Sequence, residues 1–136
     1  MKKNNLFFYI IIFILNFENT YSEKISIIYT VDNEPITSVQ IKNEITYLKL
    51  INKNLDKMED KSLVVYASKS LLKEKIKEVE ISKYFKFGLN DELVAQNIEN
   101  LYRSVGLSNK DEFDNLLKNL SLNNNFIKKK IEIELL

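Results

Sequence analysis

Residues 27–45, IIYTVDNEPITSVQIKNEI, hold the only proline of the chain, Pro35, between an apolar run and a helical pattern. The run begins slightly earlier. Residues 24–31, KISIIYTV, are rich in β-branched side chains and set Ile25, Ile27 and Tyr29 on one face, which predicts a strand. Pro35 fixes its own φ and keeps Glu34 out of the helical region, so DNEP reads as the reversal that ends the strand. Thr37 then stands three residues before Gln40. At that spacing the threonine hydroxyl takes an orphan amide of the first turn and the glutamine side chain reaches back. Ile36 and Ile41 flank this capping box in the positions of a hydrophobic staple. A helix therefore starts at Ser38 and runs to about residue 54, with Ile41, Ile45, Leu48, Ile51 and Leu55 as its apolar stripe. No second strand is legible downstream, and a lone strand cannot satisfy its own backbone groups. It is completed in trans, by a dimer partner or another chain, or it lies along the helices as an extended arm.

A second helix is predicted from Asp60 or Ser62 to about Phe85. Val64, Ala67, Leu71, Leu72, Ile76 and Val79 face inward, while Lys73, Glu74, Lys77 and Glu78 face water. Gly88 is placed to end this helix in the left-handed conformation, and Asn90 to cap a third helix over residues 91–104 that Gly106 closes. Ser108, helped by Asp111, reads as the cap of a short fourth helix carrying Phe113, Leu116, Leu117 and Leu120. Ser121 reads as the start of a fifth, with Phe126, Ile127, Ile131 and Leu135, which runs to the last residue without a stop signal. The fold class is mainly α: one N-terminal strand followed by about five helices.

Composition agrees with that reading. Two glycines and one proline among 136 residues, with 45% hydrophobic and 29% charged side chains, fit one helical globular domain better than a turn-rich barrel or a disordered chain. The N-terminal segment has a different character. MKKNN is a basic head, and residues 6–17, LFFYIIIFILNF, are continuously apolar but too short to cross a bilayer core of about 30 Å. Thr20 and Ser22 supply small residues at an exit site. Residues 1–22 thus read as a secretory signal peptide, and residues 23–136 as the mature domain. Without Lys2, Lys3 and Glu18, the 20 basic and 19 acidic side chains fall to 18 each. A neutral domain has no electrostatic reason to seek nucleic acid, and Lys128-Lys129-Lys130 reads as the wet face of a helix.

Missing residue types narrow the chemistry. There is no cysteine, so an exported chain holds together without disulfides. There is no histidine, which removes serine–histidine and cysteine–histidine nucleophilic sites along with the commonest metal ligand. Gly88 and Gly106 stand alone, so no glycine-rich phosphate loop exists. Residues 55–61, LDKMEDK, cluster acids without the Asp-x-Asp-x-Asp-Gly pattern of a calcium loop and read as a solvated interhelical loop. No catalytic residue, metal or cofactor is expected in this chain.

The order of motifs resembles a known family. Val31, Asn33, Pro35, Ile36 and Thr37, the segment LLKEKI at residues 71–76, NDELV at 90–94, and the closing GLSNKDEFDNLL and LSLNNNFIKKKIEIELL together look like the N-terminal domain of SurA-type periplasmic chaperones and foldases. The likeness covers nearly all of the mature chain. Two departures stand beside it: family members continue into parvulin-type prolyl isomerase domains and a C-terminal segment, whereas this sequence stops at Leu136, and YFKFG replaces the family's helix-ending glycine.

The resemblance implies a periplasmic module that binds unfolded outer-membrane β-barrel precursors, or aromatic-rich peptides, without ATP. Membrane contact would then be transient and made only through the signal segment. Tyr47, Leu50, Tyr84, Phe85 and Phe87 fall off or at the end of the clearest stripes; they either line a peptide groove or complete the core. Two other functions fit the same residues. One is the front fragment of a peptidyl-prolyl cis-trans isomerase whose catalytic domain lies elsewhere. The other is a helical interaction domain held at the inner membrane by an uncleaved residue 6–17 segment.

Overall fold

The structure is a computed structural model that describes residues 25–88 and 90–136. The signal-peptide reading of residues 1–22 lies outside the described residues; within them, no helix is long and apolar enough to cross a membrane. The chain is mainly helical. It runs through β1 (Ile27–Val31), β2 (Glu34–Thr37), α1 (Ser38–Ile51), a 3-10 turn (Lys53–Lys57), α2 (Asp60–Ser82), α3 (Asp91–Ser104), α4 (Lys110–Asn119) and α5 (Asn124–Leu135).

The leading strand has a partner within the chain, contrary to the sequence reading. β1 pairs antiparallel with β2, with Thr30 opposite Pro35 and Val31 opposite Glu34. The reversal lies at Asp32 and Asn33, whose φ values of 47° and 66° make a two-residue turn of the kind that matches strand twist. Pro35 therefore sits inside β2 and does not end a strand. In such a hairpin the closing pair shares both hydrogen bonds and the next pair shares none. The nitrogen of Pro35 thus points to the outer edge, where no ladder bond is lost. The register shifts between Ile27 and Tyr29, leaving Ile28 as the extra residue of a bulge.

The capping box forms as the sequence predicts. Gln40 N–H donates to Thr37 Oγ1 at 3.3 Å, and Thr37 N–H donates to Gln40 Oε1 at 2.8 Å. Ile36 and Ile41 are buried in one cluster, completing the staple. α1 stops at Ile51, short of residue 54, because Asn52 turns extended and its side chain accepts from Asn54 N–H to start the 3-10 turn.

α2 buries a narrower stripe than predicted. Leu63, Ala67 and Leu71 are buried, whereas Val64 and Ile76, read as inward, are 44% and 48% exposed. It ends at Ser82 and not near Phe85, so Gly88, though left-handed at φ 85°, belongs to the linker and not to the helix cap.

The remaining helices start on asparagines. Asn90, Asn109 and Asn123 accept from Leu93, Glu112 and Phe126 N–H respectively. Asn109, and not Ser108, caps α4; Asn123, and not Ser121, caps α5. α3 closes on Gly106 as predicted: Leu107 N–H donates to Tyr102 O and Gly106 N–H to Arg103 O, a Schellman motif. α4 ends the same way, with Ser121 in the glycine's place at φ 57°.

Two apolar clusters form the core. The first joins Tyr47 and Leu50 of α1 to Val94, Phe113, Leu117, Leu122, Ile127 and Ile131. The second joins Ile36 of β2 and Ile41 and Leu48 of α1 to Leu55, Leu63, Ala67 and Leu71. α1 alone among the helices contributes to both.

Candidate functional site

The hairpin does not close flat on the helices beneath it. Between β1 and the α1–α2 pair runs an open groove of about 470 Å³. Ile28 and Tyr29 form its strand wall; Ile41 and Ile45 of α1 and Val64, Val65 and Leu72 of α2 supply the rest of its apolar lining. The exposed apolar surface continues beyond it. Ile27 is 66% exposed, and Tyr66 stands out from α2. Polar groups enter only as Ser38, Lys42, Ser68 and Lys69, and no carboxylate lines the groove.

Each part of this site follows from a local feature. The bulge in β1 falls at Ile28, which lines the groove beside Tyr29. The run Leu63-Val64-Val65-Tyr66-Ala67 is apolar at five successive helical positions, more than one face can bury. Only Leu63 and Ala67, four residues apart, enter the core. The surplus at 64–66 is left outside, and that run was the signal in the sequence that marked this face.

The structure does not bring the five sequence-predicted site residues together, and none of them lines the groove. Tyr47 and Leu50 are buried in the first cluster. Tyr84 and Phe85 are exposed just past α2, at 78% and 54%, and Phe87 is half-buried. Phe85 borders a separate cavity of about 260 Å³ with Leu93, Val94, Leu135 and Leu136.

Where α1, α2 and α5 meet, sequence reasoning missed a buried charge cluster. Lys130 is only 4% exposed, so the basic triplet is not a uniform wet face. Lys128 pairs with Asp91 and Lys129 with Glu78, each at 2.6 Å, while Lys130 turns inward. Its ammonium lies 2.5 Å from Glu44 Oε2, out of line for a hydrogen bond, and also pairs with Glu74. Ser70 Oγ donates to the other Glu44 oxygen at 2.9 Å. The Tyr47 and Phe126 rings face the same ammonium at 4.8 and 5.3 Å from their centroids.

Burial sets the electrostatics of this junction. It pushes the Glu74 carboxyl above the ordinary range against the attraction of Lys130, and it pushes the Tyr47 phenol up, with Glu134, Glu44 and Glu74 adding to the effect. At Glu78 burial acts upward too, but the hydrogen bonds from Lys129 and Lys75 outweigh it and hold that carboxyl low. The cluster ties three helices together, and its Tyr47 borders an open cavity of about 460 Å³ with Asn97, Leu101 and Ile131. Asp56, Glu59 and Asp60 are exposed, and among the described residues no acidic group converges to hold a metal ion. Compared with protein-family models, with curated proteins and with solved structures, the chain finds no match.

Proposed function

We propose that this chain is a periplasmic holding chaperone, a SurA-like N-terminal domain that binds unfolded outer-membrane β-barrel precursors without ATP. The observation that carries the reading is the open apolar groove between β1 and the α1–α2 pair. A barrel precursor is an extended chain in which every second residue is apolar. Such a chain needs a trough that accepts many side chains, and Ile28, Ile41, Ile45, Val64 and Leu72 offer one without a shape-selective pocket.

Strand β1 adds sequence tolerance. Thr30, opposite Pro35 in the unbonded pair, directs its backbone groups away from β2, and among the described residues they bond to no other element. A client strand laid there is held through its main chain, whatever its sequence. Tyr84 and Phe85, exposed beyond the other end of α2, supply a second apolar contact for the same client.

The test is an aggregation assay with a urea-unfolded β-barrel protein diluted into buffer. The purified protein suppresses light scattering at several-fold excess. The double variant Val64→Ser/Val65→Ser loses most of that suppression while keeping its far-UV circular dichroism, since both side chains already face solvent. Wild-type protein that suppresses nothing, or a variant that suppresses as well as wild type, overturns the reading.

A further inference from the structure

We infer that the groove selects extended apolar segments that carry carboxylates, through a lysine row running along α2 from the groove wall. This rests on the peptide-binding reading above and adds a preference that reading lacks. Lys69 lines the groove, and Lys73 and Lys77 follow it at four-residue intervals, so the three lie on adjoining turns of one helix surface. All three are exposed. None pairs with a carboxylate among the described residues; Lys77 reaches only the backbone oxygen of Glu134, at 3.4 Å.

The contrast within the same helix is sharp. Lys75, two positions from Lys73 and from Lys77 and so on the opposite side of α2, is held by Glu34 and Glu78, each at 3.1 Å, and Lys83, just past the helix end, by Glu80 at 2.6 Å. The chain has nearly as many acids as bases, yet leaves uncompensated the positive row that borders its apolar groove. A segment whose apolar residues seat against Ile28, Ile45 and Val64 carries its next residues past Lys69 and onto this row. Carboxylates there gain two or three exposed ion pairs, and lysines meet like charge. Exposed pairs are individually weak, so the selection is graded and salt-sensitive.

The test uses two fluorescent peptides with the same alternating Phe/Val segment, one followed by aspartates and one by lysines, read by anisotropy. At low salt the aspartate peptide binds about fivefold more tightly. The gap closes at high salt, survives Lys69→Arg/Lys73→Arg, and reverses in Lys69→Glu/Lys73→Glu, whose exposed positions leave the fold intact. Equal binding of the two peptides, tighter binding of the lysine peptide, or an acidic preference that persists in the glutamate variant overturns the inference while leaving peptide binding standing. Binding of neither peptide overturns both readings. Phosphatidylglycerol vesicles that bind the protein and displace the aspartate peptide assign the row to an anionic membrane surface and likewise overturn the inference.

Discussion

Ser121 holds a backbone conformation that L-residues other than glycine adopt at a cost. Its φ of 57° lies at the C′ position of α4, where Gly106 serves α3 at φ 86°. Ser121→Gly therefore raises stability by about 1 kcal/mol, read as a higher urea midpoint at unchanged slope. Gly106→Ala lowers it by about the same amount, and through the backbone alone, because a Cβ there meets nothing within 4 Å. This site also explains why the α4 and α5 boundaries were misplaced in the sequence. A serine after an apolar helix resembles an N-cap, and only the two hydrogen bonds of Leu122 and Ser121 back to Leu117 and Lys118 mark it as a stop. The Thr37–Gln40 box, by contrast, was legible because both halves of the bond pattern lie within four residues.

The α1–α2–α5 junction is the place where substitution has the largest electrostatic cost. Lys130→Met leaves Glu44 and Glu74 facing each other in a buried site and costs about 3–5 kcal/mol in denaturant titration. Adding Glu44→Gln and Glu74→Gln restores stability to within about 1 kcal/mol of wild type, since apolar and neutral groups of similar volume replace the whole cluster. A triple variant as unstable as the single one shows instead that the loss of the Lys130 ammonium from the faces of Tyr47 and Phe126 carries the cost. The sequence concealed this cluster. Lys130 ends a run of three lysines, and Glu44 and Glu74 stand 86 and 56 positions before it, so no local spacing brings them together. The groove was half legible: Val64 was assigned inward because it fits an i, i+3 stripe with Ala67, but the competing 63–67–71 stripe takes the core.

α1 is the one helix packed into both apolar clusters, so its central amides open only when the whole fold does. Hydrogen exchange should find residues 47–50 the most protected, and Thr30, on the open edge of β1, among the first to exchange. Equal protection along the hairpin and α1 would show the edge to be covered. The helical class was legible because stripes and caps are local. The hairpin was not, because Asp-Asn lacks the glycine that flags a two-residue turn, although both residues tolerate positive φ. The same hairpin gives Pro35 a meaning beyond chain direction. Strands that end in open edges invite copy after copy to stack into fibrils, and the missing amide of Pro35 faces the side on which a β2 neighbour would dock. Ribbon growth is thereby stopped on one flank, so two molecules joined through β1 would expose only proline-bearing margins. A single imino acid thus guards one margin of a molecule that leaves greasy surface uncovered.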